Sequence, residues 1–282
     1  MKTFLDKLRE LKQNEVSKRK KVVNEDHLRS EVKNLDKAPD FRKRLIRNPG
    51  EPISLILEVK PRAPGRINVN QIETENLVKE FEHGGAKAIS VLTDQSWFGG
   101  SLSILNKVSR ATSLPLMHKE FIISSYQLLE GRLHGASAAL ILAYYFHQFE
   151  LSKIVSEAKN IGLEAVVECS VENELSRALS INPDILMINN RPIAAIPEDP
   201  TETYDKGSIE VTSKWWESYP ELRSWKRQPG KLLISASCIN SPEDIKKILK
   251  IPCDAALIGN AAMTAKDRVG FLKSLTEVVN LN

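Results

Sequence analysis

The sequence has few cysteines and no long apolar run, and both absences limit what the protein can be. The three cysteines among 282 residues, Cys169, Cys238 and Cys253, are far apart, odd in number and without CxxC or His–Cys spacing. This pattern supports neither a disulfide framework nor a zinc site, and it fits a reducing cytoplasm. The N-terminus is charged throughout and no uninterrupted apolar core follows it. We therefore expect neither a signal peptide nor a membrane span.

Two common catalytic patterns are also missing. The five histidines form no Ser-His-Asp arrangement and no cluster with aspartate that has the spacing of metal ligands. Serine hydrolysis and metal catalysis are therefore not indicated, and we expect no metal site.

The N-terminal segment is short of acidic residues. Residues 1–48 hold 15 lysines and arginines against 8 aspartates and glutamates, a local charge of +7, whereas the remainder carries −3. The densest basic run, Lys18-Arg19-Lys20-Lys21, could bind nucleic acid, but no aromatic residues are interleaved with it. A solvated helical face is the favoured interpretation, so we expect no nucleic-acid partner.

The chain has the composition of an ordinary globular protein, 41% hydrophobic and 27% charged. It is long enough for one large domain or two small ones. Residues 1–47 carry apolar positions at helical spacing until Asn48-Pro49-Gly50 stops them. The pattern predicts a helical N-terminal extension over residues 1–48. Its apolar positions are Phe4, Leu5, Leu8 and Leu11, then Val22, Val23, Leu28, Val32 and Leu35.

From Ile53 onward, short β-rich runs alternate with amphipathic segments to the end of the chain. Eight such strand–helix units in about 230 residues have the count and length of a (β/α)₈ barrel. We therefore predict the α/β class and a TIM barrel over residues 49–282; a doubly wound sheet is the rival fold. The predicted strands are 53–60, 86–93, 114–121, 138–145, 165–169, 184–190, 232–237 and 255–259.

Two details of the alternation carry further expectations. Helices are expected at about 72–83, from Ser101, at 125–134, 148–160 and 171–181, from Ser241, and at 266–279. The irregular stretch 192–230, with Trp215, Trp216 and Trp225, is longer than a typical loop. A loop of that length is usually functional or contains an added helix.

Charged side chains stand at the ends of the predicted strands. In Ile56–Pro61 the side chains of Glu58 and Lys60 are two residues apart and share one face of the strand. If this pair is taken alone, a salt bridge at the end of a strand is a sufficient explanation for it. Barrel active sites, however, lie at the C-terminal strand ends, which here supply several more polar groups. The collected residues are Glu58, Lys60, Lys119, Glu168, Asn189, Arg191 and Ser237.

Such a set of charges facing one pocket must be paired or used. A lysine beside carboxylates in a partly dry pocket can act as a general acid and a glutamate as a base, while the planar fork of Arg191 suits an anionic group. His118 points away from Lys119 by strand alternation, which favours a packed histidine.

Five segments of the chain match the motifs of a known enzyme family. They are Ile56–Pro64, Ala86–Gly100 (AKAISVLTDQSWFGG), Pro115–Gln127 (PLMHKEFIISSYQ), Val166–Glu168 and Ile188–Arg191 (INNR). In these segments the chain resembles the indole-3-glycerol phosphate synthase family of tryptophan biosynthesis. Members close the indole ring of an anilino-deoxyribulose phosphate and release carbon dioxide and water, without cofactor or metal. The resemblance therefore implies a carbon–carbon lyase that needs no cofactor.

The resemblance also implies roles for single residues. Lys119 would be the general acid that protonates the ketone, Lys60 would lie near the substrate carboxylate with Glu58 as its partner, and Glu168 would move protons during dehydration. The expected substrate-binding residues are Asn189 and Arg191 for hydroxyls and carboxylates, Phe98 and Phe121 for the anthranilate ring, and Ser237, Gly259 and Asn260 near the phosphate.

The sequence departs from the family pattern in the loops that bind phosphate. The family usually has Ser-Pro-Ser where this chain has Ala63-Pro64-Gly65, Glu-Ser-Gly where it has Ala236-Ser237-Cys238, and Gly-Glu/Ser-Ser where it has Gly259-Asn260-Ala261. A side chain at Cys238 replaces a glycine whose backbone approaches the phosphate. The acid–base set is thus kept while the phosphate contacts are altered.

Three functions remain open at this point. The chain is expected to be an indole-3-glycerol phosphate synthase that takes a small-molecule anilino-sugar phosphate. A diverged relative that acts on a different or unphosphorylated anilino-sugar, and a non-catalytic binding or assembly protein, are the alternatives. We expect a cytoplasmic monomer or weak homodimer whose N-terminal helices cover the barrel mouth.

Overall fold

A closed barrel of eight parallel strands forms the centre of the molecule, in a computed structural model that describes residues 3–63, 66–67, 73–199, 201–202 and 207–278. The strands are β1 Ser54–Val59, β2 Arg62–Ala63, β3 Arg66–Ile67, β4 Ala86–Leu92, β5 Leu116–Lys119, β6 Ala138–Leu142, β7 Glu164–Cys169, β8 Ile185–Asn189, β9 Leu232–Ala236 and β10 Ala255–Ile258. Around the barrel the neighbours run β1-β4-β5-β6-β7-β8-β9-β10, and β10 pairs with β1, while β2 and β3 form a separate antiparallel hairpin.

The helices follow the strands in the alternation that the sequence predicts, so the (β/α)₈ barrel is confirmed. All six residues of β1 are buried, as expected for a strand covered on both faces. The helices are α1 Phe4–Val22, α2 Glu25–Lys33, α3 Phe41–Leu45, α4 Thr74–His83, α5 Leu102–Ala111, α6 Ser125–Leu133, α7 Gln148–Asn160, α8 Glu172–Ser180, α9 Glu210–Ser218, α10 Pro220–Lys226, α11 Pro242–Ile248, α12 Asn260–Thr264 and α13 Arg268–Thr276. None of the described helices is both long enough and apolar enough to cross a membrane.

Serine caps fix two of the predicted helix starts. Ser101 Oγ accepts the amide N–H of Ile104, and Ser241 Oγ accepts that of Asp244. Each bond satisfies one of the amides that a first helical turn leaves without a partner. The predicted helix start at Ile72 lies outside the described residues.

Two predicted strands were too long by more than one residue at an end. The strand predicted over 138–145 ends at Leu142, because Ala143–Tyr145 winds into a short 3-10 helix. The strand predicted over 114–121 covers only Leu116–Lys119. Beyond Lys119, backbone groups form hydrogen bonds with side chains instead of with a neighbouring strand. Glu120 Oε1 accepts from the Phe121 amide, and Gln127 donates to Phe121 O and accepts from the Ile123 amide.

The N-terminal helices hold both ends of the barrel. Helix α1 lies on the C-terminal mouth, where Lys7 pairs with Glu198 at 2.8 Å and the Phe4 ring contacts the Trp97 ring at 5.2 Å. Helix α3 lies at the opposite end, where fully buried Phe41 and Leu45 pack and the Arg42 amide donates to Glu164 Oε2. The extension is therefore part of the packed molecule.

The irregular stretch 192–230 contains the added helices that its length suggested. Helices α9 and α10 lie between β8 and β9. Trp215 and Trp225 are buried, and Trp225 Nε1 donates to Pro183 O at 2.8 Å. Buried Asn190, which follows β8, donates to Ser237 O and accepts from Thr212 of α9, so it ties α9 to the segment after β9.

Candidate active site

A cavity opens at the C-terminal mouth of the barrel, and its empty space, together with the open solvent at its entrance, measures about 1060 Å³. The barrel places the ends of all its strands around one space, which is why residues far apart in sequence meet there. Every site residue predicted from the sequence lines this cavity. They are Glu58, Lys60, Phe98, Lys119, Phe121, Glu168, Asn189, Arg191, Ser237, Gly259 and Asn260.

One carboxylate holds two lysines at the base of the cavity. Lys60 Nζ lies 2.9 Å from Glu58 Oε1, and Lys119 Nζ donates to Glu58 Oε2 at 2.7 Å. Glu58 is almost fully buried, so these are charge-assisted bonds in a site from which water is largely excluded. The shared face of Glu58 and Lys60 that the sequence predicts is confirmed, and Lys119 joins the pair from β5.

The three charges set one another's pKa. Burial opposes ionisation of Glu58, but the two ammonium groups outweigh it and lower the pKa of Glu58 to about 2. Burial lowers the pKa of Lys60, Lys119 and Arg191 add to the effect, and Glu58 opposes it. Burial also acts to lower the pKa of Lys119, but Glu58 and Glu168 outweigh it, so this pKa lies above its ordinary value. Lys119 therefore carries a proton at neutral pH.

Glu168 lies at the end of β7 with one oxygen bound. Its Oε1 accepts the Asn189 side-chain amide at 3.0 Å, and its buried Oε2 has no hydrogen bond within the described part of the chain. Burial raises the pKa of Glu168, with Lys119 opposing the shift. A carboxyl group whose pKa is raised by burial takes up a proton more readily than one in water, which suits a group that transfers protons.

Asn189 also shapes the segment that carries Arg191. Its Oδ1 accepts the backbone amide of Arg191 at 3.0 Å, which fixes the turn after β8. Arg191 lines the cavity, and its charge acts on both Lys60 and Lys119. Lys60, Lys119 and Arg191 thus supply three positively charged side chains to the cavity, and these can bind an anionic ligand.

Two phenylalanines form an aromatic wall. The rings of Phe98 and Phe121 lie 6.2 Å apart at an interplanar angle of 31°. Asp94 Oδ2 accepts the amides of Trp97 and Phe98 and so holds the loop after β4. The wall is preformed and can take a flat aromatic ring.

The altered loops line the part of the cavity near β9 and β10. Ser237 and Cys238 have φ values of 71° and 59°, in the left-handed region that favours glycine. Cys238 Sγ lies 4.0 Å from Asn190 O. A Cβ at Gly259 would come within 2.5 Å of Glu58 Oε1, so that position needs glycine. Pro64 and Gly65 of the third altered loop lie outside the described residues.

Sequence reasoning did not single out three charged residues at this site. Asp94 and Glu120 line the cavity, and buried Lys12 of α1 pairs with both of them. A signal was present for Lys12, because it occupies the buried stripe of α1 that Leu5, Leu8 and Val16 define. Glu120 directly follows Lys119 at the end of β5, and Asp94 lies two residues after the end of β4 at Leu92. Site residues are expected at these positions.

The histidine that the sequence predicts to be packed is buried. His118 Nε2 bonds Thr93 Oγ1 at 2.9 Å on the outer side of β5, away from Lys119. Burial lowers the pKa of His118 to about 3, so the ring is neutral. Among the described residues, no group of three or more His, Cys, Asp or Glu side chains is placed to hold a metal ion.

The fold resembles that of a solved structure of different chemistry. Thiamine phosphate pyrophosphorylase from Pyrococcus furiosus superposes with a TM-score of 0.53 over 84% of this chain and 96% of that chain, at 15% sequence identity. At this identity the likeness shows the barrel fold and nothing more.

Sequence comparison is more specific. The family model described as indole-3-glycerol phosphate synthase matches residues 5–275. The indole-3-glycerol phosphate synthase of Desulforamulus reducens is 31% identical over 98% of this chain and 97% of its own length. That of Prochlorococcus marinus is 35% identical over 94% of this chain and 86% of its own. On this agreement, the chain belongs to the indole-3-glycerol phosphate synthase family, the carboxy-lyases of tryptophan biosynthesis.

Proposed function

We propose that this protein converts 1-(2-carboxyphenylamino)-1-deoxyribulose 5-phosphate into indole-3-glycerol phosphate, carbon dioxide and water. The observation that carries the proposal is the buried Glu58 carboxylate held between Lys60 and Lys119. It supplies a protonated amine beside an anion-binding surface, which the first step of this reaction needs. The two relatives named above are called indole-3-glycerol phosphate synthases, and the match covers 97% and 86% of their lengths.

Binding uses the cationic side chains of the cavity and the aromatic wall. In our proposal the anthranilate ring packs on Phe98 and Phe121, and its carboxylate faces Lys60. Arg191 and Asn189 hold the hydroxyls of the sugar. The phosphate lies at the backbone of Ser237, Gly259 and Asn260, where amide N–H groups can replace lost side-chain contacts.

Ring closure follows from the position of Lys119. The ring carbon that bears the carboxylate attacks the ketone carbon, and Lys119 gives its proton to the ketone oxygen, which becomes a hydroxyl. The bond to the carboxylate then breaks, carbon dioxide leaves, and the electron pair of that bond restores the aromatic ring. The Lys119 amine regains its proton from solvent.

Dehydration completes the indole. The new hydroxyl leaves as water after it receives a proton, and the neighbouring methylene carbon loses one, so no net proton is consumed in this step. Glu168 is the group proposed to move these protons, since its free oxygen and raised pKa suit it to both directions of transfer.

The experiment is a fluorescence assay for indole formation with the phosphorylated anilino-deoxyribulose substrate. We expect turnover that saturates with substrate. The altered loops around Ala63 and Cys238 favour a second candidate, a relative that acts on an unphosphorylated anilino-sugar. The same assay with dephosphorylated substrate separates the two, and no product from either substrate would support a non-catalytic protein.

We further propose that the protein acts in the cytoplasm as a monomer or weak homodimer that does not bind nucleic acid. In support, two residues of the basic run are already engaged: Arg19 pairs with Glu130 and Lys20 with Glu25, each at 2.9 Å. Light scattering over a range of protein concentrations tests the oligomeric state. A gel-shift assay with mixed RNA and DNA tests nucleic-acid binding. A stable larger assembly or a shifted band would contradict them.

A further inference from the structure

A buried lysine of the N-terminal helix binds three carboxylates beside the active site. Lys12 of α1 is only 2% exposed. Its Nζ lies 2.8 Å from Asp94 Oδ1, 3.1 Å from Glu120 Oε1 and 3.1 Å from Glu15 Oε2. The contact with Glu15 is a hydrogen bond, and those with Asp94 and Glu120 are ion pairs.

Two of these carboxylates organise the loops that carry site residues. Asp94 Oδ2 accepts the amides of Trp97 and Phe98 at 2.7 and 3.1 Å. Glu120 directly follows Lys119, and its Oε1 accepts the Phe121 amide at 2.8 Å. Through these two residues Lys12 connects the loops that present the two rings of the aromatic wall.

We propose that Lys12 is a positioning residue for the ring-closing reaction, holding the loop after β4 and the loop after β5 at the separation that Phe98, Lys119 and Phe121 require. The proposal rests on the proposed function for its reaction, and on the ion pairs for its geometry. Lys12 touches no reacting atom; it acts through Asp94 and Glu120.

The charge of Lys12 is as important as its shape. Without it, Asp94 and Glu120 would be two buried carboxylates with like charge and no shared cation, and one would take up a proton or the loops would separate. Burial and Asp94 already raise the pKa of Glu120, and Lys12 opposes this shift. Removal of Lys12 therefore makes loop geometry depend on pH.

Other titratable groups surround the cluster from each packed element. Glu15 on α1 shares Lys12 directly. Tyr145 and Arg9 interact with this region, Glu130 of α6 feels the charge of Glu120, and His118 of β5 feels that of Lys12. Of these groups, His118 is neutral over the pH range of the test. Glu15, Tyr145, Arg9 and Glu130 are present in every variant that is compared.

The test compares Lys12→Met with Lys18→Met, which makes the same change at an exposed position of the same helix. We expect Lys12→Met to lower kcat/KM by about tenfold to a hundredfold, with kcat reduced and KM raised, because small displacements of reacting groups cost rate. Lys18→Met should match the wild type. The deficit of Lys12→Met should be at least about threefold larger at pH 8 than at pH 6, since protonation relieves the carboxylate pair.

A charge-balanced variant separates positioning from loss of stability. Lys12→Met with Glu120→Gln removes the ammonium together with one carboxylate, and we expect it to recover part but not all of the lost kcat/KM. If Lys12→Met shows no cooperative melting transition, this double variant takes its place and should be folded with kcat/KM still below that of the wild type. A double variant equal to the wild type in kcat/KM would overturn the proposal.

A measurement without substrate keeps the two proposals distinguishable. Hydrogen exchange followed by mass spectrometry should show faster exchange in residues 94–100 and 120–127 of Lys12→Met, with the strands β7 and β8 unchanged. If the wild type makes no indole product but this local change is seen, the proposed function fails and the positioning role stands. A wild type that is active, with Lys12→Met unchanged in kcat, KM and exchange, would overturn the role of Lys12.

Discussion

Among single residues, Glu58 joins the two lysines of the site, since one carboxylate accepts from both ammonium groups. Its position lets either lysine be removed without leaving a buried carboxylate alone. Loss of Lys119 still leaves Glu58 paired with Lys60, and loss of Lys60 leaves it paired with Lys119. Variants at these lysines can therefore test chemistry with the fold intact.

Lys119→Met should abolish most turnover while the protein stays folded. Methionine keeps the apolar stem and removes only the proton donor, and loss of one general acid costs about 10²–10⁴ in rate. The rate is measured by indole fluorescence and the fold by circular dichroism, with exposed Lys107→Met as the matched control. If Lys119→Met kept more than half the activity, Lys119 would not be the acid.

The altered phosphate loops give a second prediction at this scale. Cys238→Gly removes a side chain from a left-handed backbone position, and Ala63→Ser restores a hydroxyl beside the cavity. Contacts of this kind to a charged group contribute about 1.5–3 kcal/mol each. The double variant should bind the phosphorylated product at least about tenfold more tightly, roughly 1.4 kcal/mol.

Calorimetric titration of the wild type, both single variants and the double variant measures this change. The dephosphorylated product is the control, and its affinity should not change. Equal affinity of wild type and double variant for the phosphorylated product would mean that neither position contacts a phosphate. The candidate with an unphosphorylated substrate would then move ahead.

At the scale of elements, the N-terminal extension divides into parts with different positions. Helix α1 reaches the loops after β4 and β5 through Lys12, whereas α3 fills the opposite end of the barrel with Phe41 and Leu45. Removal of the whole extension would expose the base of the barrel as well as its mouth. A deletion designed to test the role of the extension in the active site must therefore end before α3.

Deletion of residues 1–23 should raise KM by about tenfold or more and lower kcat. It removes the basic helix that borders an anion-binding mouth, together with the tie between the two loops. Steady-state kinetics measure the effect, and a thermal melt shows whether the shortened chain folds cooperatively. A soluble, folded deletion variant with unchanged KM and kcat would show that α1 has no part in the site.

At the scale of the whole molecule, one buried histidine links stability to pH. The folded state holds His118 with a pKa of about 3, whereas an unfolded histidine titrates near 6.5. Between these values the unfolded chain binds one more proton than the folded one, so stability falls as the pH falls. Between pH 7 and 5 this term is worth about 2 kcal/mol.

His118→Gln should remove that term, because glutamine can still bond Thr93 but does not titrate. Urea unfolding of the wild type and the variant at pH 7 and pH 5 measures it, with exposed His83→Gln as the control. We expect the wild type to lose about 2 kcal/mol more than His118→Gln on acidification. Parallel losses in the two proteins would show that His118 is not held neutral.

The sequence alone determined the number and order of the barrel strands and which of their ends carry charge. Both follow from local rules: apolar runs of strand length alternate with amphipathic segments, and alternation along a strand places Glu58 and Lys60 on one face. Because parallel strands end at one rim, the seven site residues collected from the strand ends had to meet in one cavity. Phe98, Phe121, Gly259 and Asn260, which the family resemblance indicated, line the same cavity.

Only the tertiary structure decided which charges pair and what the N-terminal helices touch. Glu58 and Lys119 come from β1 and the end of β5. Lys12 and Asp94 are separated in sequence by most of the extension and the first two barrel strands. Such contacts depend on barrel closure and on the path of the chain between elements, which side-chain periodicity does not encode. The left-handed backbone of Ser237 and Cys238 likewise depends on distant contacts, since Asn190 donates to Ser237 O and accepts from Thr212 of α9. No local pattern in the sequence predicts this backbone conformation.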